Sequence, residues 1–203
     1  MKVDLQFKVF GKEIRVDHGY ALFAAVSRIL PEYHETSEAG LALIRGRYAG
    51  DGKLVLGSNA CLTFRVPIEK LPPYLNLAGK VLDLDGQVVR LGVPSTRALI
   101  PATTLHAHLV TTRNGQEQDR FTAEIHRQLA TLPCRGKLSV GQRRTFKVHG
   151  KQVVGYSVLA SELTAVESIA LQEQGLGGRR KLGCGFFEPW RGGDRLIMRP
   201  VGQ

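Results

Sequence analysis

The sequence predicts an α+β protein of two ferredoxin-like (RRM-like) domains in tandem, residues 1–92 and 93–203, with a glycine-rich loop near the C-terminal end. Three observations carry this prediction. Segments of period 2 and period 3.6 follow one another as strand, helix, two strands, short helix, strand, and that order runs twice. Asp51-Gly52 and Asp85-Gly86 sit between apolar runs, as in β-hairpins. A hydrophobic fraction of 43% supports packed cores and excludes a disordered chain.

Val3 to Val9 alternates apolar and polar residues and predicts a first strand. Tyr20 to Leu30 is apolar, alanine-rich and stopped by Pro31, so it predicts the first helix, with Asp17 placed as N-cap. Leu41–Tyr48 and Lys53–Val66 predict two strands around Asp51-Gly52. Ile68 to Leu75 predicts a short helix broken by Pro72 and Pro73, and Lys80 to Leu91 a hairpin turning at Asp85-Gly86. Gly92 to Ser95 reads as the domain boundary. Beyond it, Ala98 to Thr112 alternates, with His106 and His108 on one face. Gln116 to Leu132 has helical spacing through Phe121, Ile125 and Leu129 and stops at Pro133. Lys137–Val148 and Lys151–Leu159 predict strands joined at Gly150, Leu163–Gln174 a second helix ended by Gly175, and Phe186–Pro200 a closing strand or hairpin.

Charge narrows the function classes. Lys plus Arg number 28 against 18 Asp plus Glu, a net charge of +10 with a pI near 9.9. A globular chain this basic points to a polyanion, nucleic acid first. Cys61, Cys134 and Cys184 are far apart and form no CxxC pair, so a structural zinc site is not expected, and an odd set of thiols suits a reducing cytoplasm. The N-terminal residues lack a signal-peptide pattern, and no apolar run approaches the ~20 residues that span a bilayer. The expectation is a cytoplasmic protein without a membrane partner. No clustered Asp/Glu set of the kind used by two-metal nucleases stands out, and no cofactor is expected.

The most distinctive stretch runs from Gly175 to Gly185, with five glycines and the consecutive cations Arg179, Arg180 and Lys181. Glycine lets a phosphate approach the backbone, successive N–H groups form an anion-binding concavity, and the cations follow a phosphate chain. A simpler reading is a helix C-cap at Gly175 followed by a turn. The stretch fits neither GxxxxGK[ST] nor GxGxxG after a strand, so a nucleotide or dinucleotide site is not supported.

The spacing Gly175-Leu176-Gly177, five residues, Gly183-Cys184-Gly185, followed by Phe186-Phe187-Glu188-Pro189-Trp190, resembles the hallmark loop of the CRISPR-associated repeat-processing endoribonucleases, the Cas-six type of the repeat-associated RNA-binding superfamily. Asp17-His18-Gly19-Tyr20-Ala21-Leu22, Thr104-Leu105-His106-Ala107 and Gly155-Tyr156 are similar to its small myxobacterial-type branch. The resemblance implies tandem ferredoxin-like domains. It also implies binding of a CRISPR repeat hairpin in precursor RNA and cleavage at the 3′ base of its stem. It further implies that the guide RNA produced is carried into a complex with other CRISPR effector subunits.

Metal-free RNA cleavage uses the RNA's own 2′-OH as nucleophile and leaves a 2′,3′-cyclic phosphate and a 5′-OH. Histidine suits the proton transfers, and cations and N–H groups suit the phosphorane. The resemblance places the catalytic histidine on or just after the first helix. His18, within DHGYAL and beside Asp17, ranks first, and His34, in Pro-Glu-Tyr-His-Glu, second. Ser27 or Tyr33 is a candidate to hold the 2′-OH, and Tyr20 shares the helix. The RNA-binding candidates are Gly175, Gly177, Gly178, Arg179, Arg180, Lys181, Gly183 and Gly185, then Arg143, Arg144 and Lys147 on one alternating strand, and Arg45 and Arg47 on another. Two other readings remain open at this stage: a non-catalytic RNA-binding subunit of a CRISPR effector complex, and a basic structural RNA-associated protein.

Overall fold

The structure, a computed structural model, describes residues 1–190 and 192. The chain divides into two compact units, Met1–Ala98 and Leu99–Gln203.

In the first unit β1 (Lys2–Phe10) and a short β2 (Glu13–Arg15) lead into helix α1 (Gly19–Ile29) and the one-turn helix α2 (Glu32–Glu35). β3 (Gly40–Ala42), β4 (Arg47–Gly50), β5 (Lys53–Val55) and β6 (Cys61–Pro67) follow. Two 3₁₀ turns, Ile68–Lys70 and Pro72–Leu77, precede the hairpin of β7 (Val81–Leu84) and β8 (Gln87–Ala98). Five strands form an antiparallel sheet in the order β3-β6-β1-β8-β7. β6 lies between β1 and β3, the two strands that α1 links, which is the split βαβ arrangement of the ferredoxin-like fold. Leu5, Phe7 and Val9 point from β1 into the core, where Leu22, Ala25 and Val26 of α1 meet them at helical spacing. Tyr33 packs edge-on to Phe64 with ring centroids 5.5 Å apart, and Phe64 likewise meets Phe7 at 6.1 Å.

Several local features depart from the sequence reading. The Asp51-Gly52 turn exists, both residues at positive φ, but its hairpin of β4 and β5 joins β2 in a separate three-stranded sheet. The second of the two long strands expected there is interrupted by a turn in which Ala60 N donates to Gly57 O at 3.0 Å. The expected helix at Ile68–Leu75 is 3₁₀, because Pro72 and Pro73 lack the N–H groups an α-helix needs. His18, not Asp17, stands at the N-cap of α1, and its side chain makes no capping bond. The domain boundary expected at Gly92–Ser95 falls inside β8, which continues to pair with β1 as far as Ala98. Pro94 is tolerated there because it lies beside a bulge and beyond the β7 pairing, which ends at Arg90.

The second unit repeats the order. It contains β9 (Leu105–Val110), α3 (Gln118–Leu129), β10 (Lys137–Val148), β11 (Lys151–Ser161), α4 (Ala165–Gln174), a 3₁₀ turn at Arg180–Leu182 and β12 (Phe187–Pro189). Its sheet runs β10-β11-β9-β12, again with the third strand of the motif between the first two. Tyr156 packs on Phe121 of α3, ring centroids 4.6 Å apart, which fixes the helix-covered face. α4 opens on a capping box: Thr164 Oγ1 accepts from Glu167 N, and the Glu167 carboxylate accepts from Thr164 N. Of the closing strand or hairpin expected over Phe186–Pro200, Phe187–Pro189 form β12; Arg191 and residues 193–200 lie outside the described residues. Among the described residues no helix is long and apolar enough to cross a membrane, and no three His, Cys, Asp or Glu side chains gather as a metal-binding group.

Candidate functional site

The two histidines that flank α1 have opposite environments. His18 is 1% exposed. Its Nδ1 lies 2.8 Å from Arg15 O and 3.1 Å from Val16 O, and its Nε2 accepts from Ile44 N at 3.1 Å. Two carbonyls at Nδ1 and an N–H donor at Nε2 fix the Nδ1–H tautomer of a neutral ring. Burial lowers its pKa below the ordinary 6.5, against the smaller upward pull of the two carbonyls. The ring therefore pins the turn before α1 to the segment after β3, and both of its nitrogens are engaged.

His34 is exposed on α2, between Glu32 and Glu35. Its ring rests on Phe23, centroids 5.5 Å apart and tilted by 37°. Phe23 also touches Tyr20 and Tyr33, with centroids at 6.4 and 5.8 Å. Tyr20, Phe23 and Ser27 share one face of α1 by their spacing. The Ser27 hydroxyl on that face is enclosed and has no hydrogen-bond partner among the described residues. Tyr33 differs from its place in the sequence reading: it is fully buried in the aromatic core, and burial raises its hydroxyl pKa well above 10. The corner of α1 and α2 thus offers a solvent-facing imidazole on an aromatic floor, while the Ser27 hydroxyl is enclosed.

The glycine-rich loop is folded tightly onto the second unit. Gly175 ends α4 with φ 64°, its N–H donating to Leu171 O at 2.8 Å. Gly177 N donates to Gln128 Oε1 at 2.7 Å, Gly178 N to Thr111 O at 2.9 Å, and Gly185 N to Leu109 O at 2.7 Å. The glycines are needed for closeness. A Cβ on Gly177 would stand 2.4 Å from Thr111 O, and one on Gly185 would stand 2.2 Å from Leu176 O. These N–H groups are engaged by the protein, so the loop's exposed offering is its crest. Gly178 and Arg179 are exposed, Arg180 and Lys181 half-buried, and Gly183 and Gly185 buried. Arg180 Nη2 donates to Glu173 O at 3.1 Å, and burial lowers the Lys181 pKa. Gln128 was not a candidate in the sequence. It anchors the loop from α3, held in turn by Nε2 donating to Glu124 at 2.7 Å, and Glu124 also accepts from Arg127 Nε and Nη2.

Leu182 and Cys184 of the loop pack with Leu109, Phe146, Val148 and Val153 in a small core on the sheet face opposite α3. Burial pushes the Cys184 thiol pKa up to about 12, so it stays protonated. Alternation along β10 places Arg144 on that same face with Phe146, and Arg143 and Lys147 on the α3 side. Arg143 Nη2 reaches Gln116 Oε1 at 3.5 Å, and Arg144 Nη2 reaches Gln142 Oε1 at 3.2 Å. Burial lowers the Arg144 pKa. Arg143, Arg144 and Lys147 therefore split between two faces of one ribbon. Arg45 and Arg47 are both exposed, but only Arg47 belongs to a strand, so they do not share a strand face.

Comparison with known proteins places these features in a family. The family model described as "Cas6 Crispr" matches residues 3–192. A protein of Myxococcus xanthus named CRISPR-associated endonuclease Cas6 is 41% identical over 187 residues, covering 92% of this chain and 81% of the relative. Solved structures share the fold at low identity. One described as CRISPR associated protein Cas6 has a TM-score of 0.66 at 10% identity, covering 94% of this chain and 99% of the other. A Cas6-related protein from Pyrococcus furiosus gives 0.63 at 10%, covering 95% and 100%. Thermus thermophilus Cse3, solved bound to an RNA representing a pre-cleavage complex, gives 0.53 at 15%, covering 92% and 98%. The profile match over nearly the whole chain and the 41% identity establish that this chain belongs to the Cas6 family.

Proposed function

We propose that the chain binds CRISPR repeat RNA and cleaves it as an endoribonuclease, once per repeat, at the 3′ base of the hairpin and without a metal ion. The observation that carries this reading is the 41% identity over 187 residues to a protein named as a CRISPR-associated endonuclease. The RNA supplies its own nucleophile. The 2′-oxygen loses its proton and bonds to the adjacent phosphorus, the P–O5′ bond breaks, and the departing 5′-oxygen takes up a proton. The products are a 2′,3′-cyclic phosphate and a 5′-OH.

His34 is assigned the proton transfers, because it is the histidine beside α1 with its ring at the surface. Ser27, the sequence's candidate to hold the 2′-OH, is given no contact with the RNA, because its hydroxyl is enclosed. Arg179, Arg180 and Lys181 on the loop crest, with Arg143, Arg144 and Lys147 on the hairpin ribbon, are assigned to phosphates of the stem. A stem's deep major groove is closed to side chains, so it is read through phosphates and shape. Partly desolvated cations such as Arg144 and Lys181 gain most when a phosphate arrives.

The test is cleavage of a synthetic repeat hairpin in excess EDTA, with and without a 2′-deoxy nucleotide at the cut site. Cutting in EDTA that stops with the 2′-deoxy RNA supports the reading. A requirement for a divalent cation, or cutting that survives the 2′-deoxy substitution, contradicts it. Tight binding with no cutting points instead to a scaffold subunit. Replacing Arg179, Arg180 and Lys181 together with alanine is expected to weaken hairpin binding roughly tenfold or more. The slope of log affinity against log salt should shrink by about 2, since each lost phosphate contact removes roughly 0.7–0.9. Filter binding at several salt concentrations reads both.

A further inference from the structure

We propose that Lys8, Phe10 and Arg90 form a second RNA site, on the face of the first sheet that points away from α1, and that it takes single-stranded RNA flanking the repeat hairpin. The proposal rests on the reading that this chain binds repeat RNA. It concerns a part of the molecule to which that reading gives no role. Strand alternation sets the face. Phe7 and Val9 of β1, Val89 and Leu91 of β8, and Leu82 and Leu84 of β7 enter the core, so their neighbours Lys8, Phe10, Val88, Arg90 and Val81 point the other way.

The register aligns Phe10 with Arg90, and Arg90 with Val81, in one row across three strands. Phe10 is 42% exposed, Val81 57% and Val88 59%. Lys8 Nζ and Arg90 Cζ each lie 5.3 Å from the centre of the Phe10 ring. The two cations are therefore no further apart than twice that distance. Gly92 makes room for the ring, since a Cβ there would stand 2.9 Å from Phe10 Cε2. The carboxylates that share the face are engaged elsewhere: Asp83 Oδ1 accepts from Gly86 N at 2.7 Å at the hairpin turn, and Asp4 accepts from Arg65 Nε and Nη2 at 2.7 and 2.9 Å.

An exposed aromatic ring with two cations against it, beside exposed valines, is what unpaired nucleotides need. A base stacks on the ring, and Lys8 and Arg90 each meet a neighbouring phosphate. A duplex offers no free base faces, so the site selects single strands. An acidic protein segment would match the cations but leave the ring without a stacking partner, and the chain's net charge of +10 favours a polyanion throughout.

The experiment compares two labelled probes by fluorescence anisotropy: an oligouridine of about twelve nucleotides, within the usual span of such sites, and a blunt repeat hairpin. Phe10→Ala is expected to weaken oligouridine binding roughly tenfold, the value of one base stack. The double change K8Q/R90Q is expected to lower its salt slope by about 1.4, two single-strand phosphate contacts. Both variants keep wild-type affinity for the blunt hairpin and wild-type cutting of it. Oligouridine affinity unchanged in both variants overturns the proposal and leaves the face to a protein partner. An equal loss for hairpin and oligouridine also overturns it, because the effect is then not specific to single strands. Failure of the wild type to cut the hairpin counts against the proposed function alone, and the oligouridine comparison still decides this site.

Discussion

Replacing His34 with alanine is expected to slow cleavage of repeat RNA by roughly 10²–10⁴-fold, the usual worth of a positioned general acid or base. Affinity for the RNA should stay within about threefold, since a group acting only in the transition state lowers the rate and not the binding. Single-turnover cleavage with a parallel filter-binding titration measures both. The expectation follows from accessibility. A group that takes a proton from a 2′-OH and returns one to a 5′-oxygen must reach the scissile phosphate, and His34 presents its ring at the surface, braced by Phe23 at 5.5 Å. Equal cleavage by wild type and His34→Ala would remove His34 from the reaction.

Replacing His18 with alanine is expected to act on stability. The change leaves Ile44 N–H and the carbonyls of Arg15 and Val16 without the ring that joins them and opens a cavity in its place. Together these effects cost about 2–4 kcal/mol, and for a chain of this size Tm should fall by roughly 5–15 °C. The wild-type ring also gives stability a pH dependence. Folded His18 is held neutral by burial, with its pKa below 6.5, while unfolded His18 takes up a proton below 6.5. The unfolded state therefore binds more protons in that window. Stability is fully present above pH 6.5 and is lost as pH falls from 6.5 to the folded-state pKa, at up to about 1.4 kcal/mol per pH unit. Urea unfolding at pH 7.5 and 5.5 should show a smaller acid loss in His18→Ala than in wild type. Cleavage by the folded variant at low temperature should stay near wild type.

The contrast between these histidines was partly legible in the sequence. His18 falls four residues before Leu22 and seven before Ala25, on the stripe of α1 that faces the core, so its helical phase already pointed inward. Its motif neighbours outweighed that phase. His34 follows Pro31 on a one-turn helix too short for any periodicity to place it. The repeated βαββαβ order was readable because each long strand alternates and each α-helix buries a periodic stripe. Asp85-Gly86 marked its hairpin correctly, and the turn between β10 and β11 adds His149 before Gly150 at positive φ, the same geometry without the Asp-Gly signature.

What the sequence hid was long-range pairing. The loop glycines suggested free N–H donors, but Gly177, Gly178 and Gly185 give theirs to Gln128, Thr111 and Leu109, all at least 49 residues away. Glycine there serves close backbone packing, and the side chains of the crest are left to meet a ligand. Lys8, Phe10 and Arg90 likewise come together only through the register of β1 with β8. Alternation showed that each leaves the core, and nothing local showed that they meet.

The most direct measurement is the sequencing of small RNA that copurifies with the intact chain, including its end chemistry. The expected result is fragments of CRISPR repeats that share one 3′ end at the base of the hairpin and carry a cyclic phosphate there. A mixture of unrelated cellular RNAs with scattered ends would contradict it.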